Sequence, residues 1–193
     1  MNRKKENAVV ISQEMLADGI FSMWLRTEAA LTAVPGQFIS MYTNDGSKLL
    51  PRPISICEIN KEESALRVVY RVTGENTGTK QFSECKAGDT IPVIGPLGNG
   101  FPLEKAEGKK AFLMGGGIGV PPILELSKQL NCEKQIVMGY RDSKTFLKEQ
   151  FEANGSVYIS TEDGSVGTKG NVMKAVHRLP RPAGLPYTNA MQV

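Results

Sequence analysis

The sequence predicts two architectures in tandem: an antiparallel β-barrel over residues 1–100, then an incomplete parallel α/β sheet over residues 101–193. Three observations predict it. The first hundred residues break into short runs of alternating apolar and polar residues separated by turn formers, as half-buried strands do. Beyond the Gly/Pro-rich stretch at 95–102, strand-like runs alternate with helix-like runs, which implies crossovers and a parallel sheet. The chain is 193 residues long with 40% hydrophobic and 22% charged residues, enough for one large globular domain or two small ones.

In chain order, the runs "NAVVISQEM", "GIFSMWLRTE", "GQFISMYT", "PISICEIN", "ALRVVYRV" and "DTIPVIGPLG" are the expected strands of the barrel, with a short helix at "KQFSE". "IGPLGNGFPL" reads as the link between the halves. In the second half, strands "KAFLMG", "KQIVMGYR" and "SVYIST" alternate with helices "PPILELSKQL", "KTFLKEQFEAN" and "KGNVMKAVHRL". After Leu179 the pattern decays, and "LPYT" is the only candidate for a fourth strand. A nucleotide-binding sheet ordinarily has at least five strands, hence the expectation of an incomplete one.

Charge and composition exclude several classes. Net charge is +3 from 23 basic and 20 acidic residues, scattered without a block of one sign, so no nucleic-acid surface is expected. No apolar run is long enough to span a bilayer, and "MNRKKENAVVISQEM" has no secretory core. The three cysteines, Cys57, Cys85 and Cys132, match no metal or disulfide spacing and read as reduced thiols in a cytoplasmic protein. One histidine, His177, is too few for most metal sites or histidine-based triads.

Two constellations remain. In "FLMGGGIGVPPILELSKQL", glycines 115, 116, 117 and 119 stand between a strand and a helix. That is where open parallel sheets bind ligands. Glycine lets a phosphate approach the backbone, and Pro121 and Pro122 suit the first helical turn. The spacing is neither the full G-x-G-x-x-G nor a Walker loop, so a pyrophosphate loop and a plain tight turn both fit it. In "LLPRPISICEIN", prolines stiffen the backbone around Arg52, whose planar guanidinium suits a diphosphate. Alternation puts Arg52, Ile54 and Ile56 on one face and Ser55 on the other. An edge strand with an exposed arginine is the competing reading. Tyr70 either lies against a ring or sugar or is a half-buried strand tyrosine, and Gly78 and Thr79 open the short helix after "TGENTGT".

The order of these motifs resembles the ferredoxin–NADP reductase superfamily. The wording of "RPISICEIN", "GPLGNGFPL", "GGGIGVPPILELSKQL" and "DGSVGTKGNV" is similar, more narrowly, to the electron-transfer subunits of type B dihydroorotate dehydrogenases, over roughly residues 5–180. The resemblance implies an oxidoreductase subunit with FAD in the barrel and NAD on a Rossmann-like sheet. It implies an FMN-containing dihydroorotate dehydrogenase catalytic subunit as partner, in a heterotetramer, and electrons passing to NAD+ in pyrimidine biosynthesis. A [2Fe–2S] cluster belongs to the family's cysteine-rich tail, but its ligands are absent here. Carried over by position, Arg52, Pro53, Ile54 and Ser55 are expected at the FAD, Arg52 on the pyrophosphate and Ser55 near the flavin's reactive nitrogen. Val69, Tyr70 and Arg71 form a second FAD segment. Gly78 and Thr79 form a third, with Asn76 and Thr77 nearby in a longer loop. Gly115, Gly116, Gly117, Gly119 and Pro121 match the nicotinamide dinucleotide loop, and Asp163 is a candidate ribose contact. No acid, base or nucleophile is required, so no catalytic residue and no metal ligand is expected. From about Arg181 the sequence departs from the family pattern, so a C-terminally truncated chain is expected. Two other readings stay open: a stand-alone flavin reductase or diaphorase-type subunit, and a non-catalytic partner of the catalytic subunit.

Overall fold

Alternation along the N-terminal half closes into six antiparallel strands: β1 (Lys5–Ala17), β2 (Ile20–Arg26), β3 (Phe38–Met41), β4 (Arg52–Asn60), β5 (Ala65–Arg71) and β6 (Thr90–Leu97). They form a closed barrel in the order β1-β2-β5-β4-β3-β6. The computed structural model describes residues 5–44, 50–177, 179 and 191–192. The chain divides into two units, Met1–Phe101 and Pro102–Val193.

The barrel core is made of inward-facing residues including Met23, Leu25, Ile39, Met41, Ile56, Leu66 and Val68, all fully buried. Each such side chain withdrawn from water contributes about 1.5–3 kcal/mol. The described barrel ladders shift register at four places, and two of these matter for the site. One lies between Val10 and Ser12 of β1, the other between Ile56 and Glu58 of β4. An extra residue shifts the two-residue period by one. Ile54 and Ile56 therefore pack on the core before the β4 bulge, and Ile59 after it. On the outer face the buried Arg67 donates to buried Glu58 at 2.6 Å, to Ser22 Oγ at 2.8 Å and to the exposed Glu14 at 3.3 Å.

Among the described residues, two helices belong to this unit. The four-residue α1 (Ala29–Thr32) was not expected from the strand-like pattern. It forms because the Glu6 carboxylate accepts from the Glu28 and Ala29 N–H groups, which have no partner within the helix. α2 (Gly78–Glu84) starts at Thr77, whose hydroxyl accepts from the Lys80 N–H. The expected link is partly strand, since β6 runs to Leu97, and the rest folds back through Phe101 N–H to Pro35 O at 2.9 Å.

The second unit is a parallel sheet ordered β10-β9-β8-β7-β11. Its long strands are β7 (Ala111–Gly116), β8 (Lys134–Tyr140) and β9 (Ser156–Thr161). β10 (Thr168–Lys169) and β11 (Met191–Gln192) add two residues each at the edges. The sequence offered three or four strands, and these short ones escape a period-2 search. "LPYT" lies outside the described residues. α3 (Pro122–Gln129) packs against β7, and α4 (Lys148–Glu152) against β9. α5 (Val172–Val176) covers the face formed by Phe112, Met114, Val137 and Tyr158. α4 is shorter than its sequence pattern. Leu147 takes a left-handed conformation and the Phe146 carbonyl accepts from Tyr140 Oη at 2.7 Å, so the helix begins only at Lys148.

Candidate functional site

The barrel opens where β4 and β5 part. Their ladder runs from Asn60↔Ala65 to Ile56↔Val68 and stops. Beyond its Ile56↔Val68 end, Arg52–Ser55 of β4 pairs with β3, and Val69–Arg71 of β5 pairs with β2. Beside this split lies α2. A Cβ added at Gly78 would sit 3.3 Å from Arg52 Nε and 3.1 Å from Thr43 Cγ2. The guanidinium thus lies against bare backbone, and one of its donors is fixed by the Leu50 carbonyl at 2.7 Å. Such a cradle, a planar cation beside a peptide that carries no side chain, has the donor set for a diphosphate.

The structure brings together some of the expected residues and separates others. Pro53 is exposed, Ile54 packs on the core, and Ser55 is half-buried on the outer face, opposite Phe38. Arg71 is exposed. Val69 is buried, and Tyr70 is enclosed rather than half-buried, 1% exposed, stacked on Phe21 and edge-on to Phe82. Its hydroxyl donates to Gln13 Oε1 at 2.6 Å, and burial pushes the phenol well above its ordinary range. Thr79 is also turned inward. Its hydroxyl accepts from Thr73 N–H at 3.3 Å and lies 3.0 Å from Thr77 Oγ1. Tyr70 and Thr79 therefore offer a ligand backbone only, while Asn76 is exposed on the loop.

In the second unit, the glycine run turns at the carboxyl end of β7. Gly117 has φ of 55°, and a Cβ at Gly115 would meet Gly119 O at 2.7 Å. The tight return of the loop onto its own strand accounts for these two glycines by itself. Gly116 is exposed, Gly119 half-buried, and Pro121 and Pro122 are buried at the start of α3. The expected ribose contact, Asp163, is exposed after β9. Its carboxylate accepts from Ser165 Oγ at 2.7 Å and Ser165 N–H at 2.9 Å, which holds its pKa below the usual carboxylate range.

The cysteines do not converge. Cys57 lies in β4, Cys85 caps α2, and Cys132 belongs to the other unit. Among the described residues, no three His, Cys, Asp or Glu side chains are grouped to hold a metal. The residues present do not fit an iron–sulfur cluster.

Residues 7–101 match the oxidoreductase FAD-binding domain family. A Streptococcus mutans protein, the electron transfer subunit of dihydroorotate dehydrogenase B (NAD(+)), is 44% identical over 181 residues, covering 91% of this chain and 69% of that protein. The subunit of the same name from Listeria monocytogenes is 38% identical, covering 93% and 72%. This chain belongs to the dihydroorotate dehydrogenase B electron transfer subunit family. Family membership makes it an oxidoreductase subunit of ferredoxin reductase-like fold. The solved NADH-dependent reduced ferredoxin–NADP oxidoreductase, an enzyme of flavin-based electron bifurcation, is 27% identical with a TM-score of 0.79, covering 92% of this chain and 64% of that one. The ferredoxin reductase of carbazole 1,9a-dioxygenase, 18% identical with a TM-score of 0.73, shares the fold.

Within this family frame, the sequence missed Gln13 and Arg67. Both sit in strands read only as apolar–polar alternation. The β1 bulge turns Gln13 toward Tyr70, and no local signal announces a bulge.

Proposed function

We propose that this chain is an FAD-containing subunit that passes electrons from a dihydroorotate dehydrogenase catalytic subunit to NAD+. The observation that carries the reading is the approach of the Arg52 guanidinium to the Gly78 backbone at the mouth between β4 and β5. The matched FAD-binding domain and the names of the relatives support it. When bound, the flavin supplies redox chemistry in steps of one or two electrons.

The chain's own residues bind and orient. Arg52 and the Gly78 N–H hold the diphosphate, with Thr79 contributing its peptide. The Ser55 hydroxyl faces the outer side of the barrel, where it donates to the flavin ring, and Pro53 and Ile54 set its direction. The unpaired peptide edge of Val69, Tyr70 and Arg71 closes the other side. Gly115, Gly116, Gly117 and Gly119, with Pro121 starting α3, form the loop that receives NAD. The reading implies an FMN-containing catalytic subunit as partner, a heterotetramer, and a cytoplasmic setting in pyrimidine biosynthesis. No described helix is long and apolar enough to cross a membrane.

The test is flavin uptake by purified chain, followed by absorbance and by quenching of FAD fluorescence. Wild-type protein turns yellow, and Arg52→Ala weakens FAD binding by at least about tenfold, as loss of a charge-assisted pair costs. Adding the catalytic subunit and dihydroorotate then gives NADH. A colourless protein indifferent to added FAD would sink the reading.

A further inference from the structure

One side chain locks the end of α2 remote from Gly78. Gln13 of β1 donates through Nε2 to Ser83 O at 3.0 Å and to Cys85 O at 2.9 Å. Its Oε1 accepts from Tyr70 Oη at 2.6 Å. Both polar atoms of this carboxamide are engaged. The last carbonyls of a helix have no partner within it, and here a strand 70 residues away in sequence supplies one. Tyr70 holds the same helix a second time. Its ring meets Phe82 edge-on, 6.2 Å between centroids, and both rings are almost wholly buried.

α2 has seven residues, so it is roughly 10 Å long and too short to bend. Its tilt at the Cys85 end therefore sets the position of the Gly78 end. Tolerance there is small, with Thr43 and Arg52 both close to the Gly78 backbone. The bulge in β1 gives Gln13 its inward direction, opposite the fully buried Met23.

We infer that Gln13 and Tyr70 are positioning residues for the diphosphate site: through α2 their side chains, which do not themselves touch the ligand, hold the Gly78 backbone against Arg52. The inference rests on the flavin reading above. It gives Tyr70 a role that its side chain performs from inside the core.

A purely structural hydrogen bond lowers stability but leaves the affinity of folded protein unchanged, whereas positioning changes affinity itself. The experiment uses the full chain carrying Tyr70→Phe, Gln13→Leu or both, well below the melting temperature of each apo-protein. Tyr70→Phe keeps the ring contacts and removes one oxygen. FAD dissociation constants rise about fivefold for Tyr70→Phe and about tenfold for Gln13→Leu. The double variant is no weaker than Gln13→Leu, because the phenol acts through the carboxamide. Unchanged FAD affinity in folded Tyr70→Phe and Gln13→Leu proteins overturns the inference, and so do fully additive losses. Wild-type chain that takes up no FAD overturns the flavin reading, and this inference with it.

Discussion

Arg52 and Gly78 meet across 26 positions of sequence because one begins β4 and the other begins α2. Glycine is needed at 78 for closeness, not for unusual dihedrals. A Cβ there falls at the short limit of contact with both Thr43 and Arg52. Gly78→Ala is accordingly expected to push the guanidinium off the peptide and to raise the FAD dissociation constant about five- to tenfold, with little loss of apo-protein stability. Fluorescence titration beside thermal unfolding checks this, and equal affinity of the two proteins would contradict it. The motif around Arg52 was legible in sequence because its prolines and charge are local properties. The inward direction of Tyr70 was not, because it depends on Phe21, Phe82 and Gln13, which lie far away in the chain.

Elements packed at glycine contacts are the least forgiving part of the second unit. A Cβ at Gly139 of β8 would lie 2.3 Å from Val172 Cγ1 of α5, and one at Gly116 of β7 3.5 Å from the same atom. The two glycines are neighbours in the sheet register, so α5 sits down on a bare patch. Gly139→Ala is expected to cost about 1–3 kcal/mol of stability by overpacking. Adding Val172→Ala in the same chain restores part of the loss, read as the midpoint of urea unfolding. If the two substitutions together are as unstable as their summed effects, the contact is not the cause. Strand–helix alternation revealed β7, α3, β8 and β9. It overstated α4 and α5, because helix starts were decided by Leu147 in the left-handed region and by the Asn171 side chain accepting from Lys174 N–H.

At the scale of the whole chain, the division falls between Phe101 and Pro102. The segment that follows exposes Lys105, Lys109 and Lys110, and such loops are preferred sites of proteolysis. Brief trypsin treatment is expected to cut here first and leave the barrel resistant, whereas first cuts within β1–β6 would contradict the assignment. Bound FAD, on the reading proposed above, slows any further cleavage of the barrel fragment by mass action on its unfolding. Mass spectrometry of the products with and without FAD measures both.

The sequence alone determined the barrel-then-sheet order and the two glycine- and proline-framed motifs, since alternation, turn chemistry and charge act over a few residues. Only the tertiary structure decided where β4 and β5 part, that Gly78 lies against Arg52, and that Tyr70 and Thr79 face inward. Those outcomes depend on two bulges, strand register and helix tilt. Each is fixed by the packing of residues distant in sequence, where no local pattern carries the information.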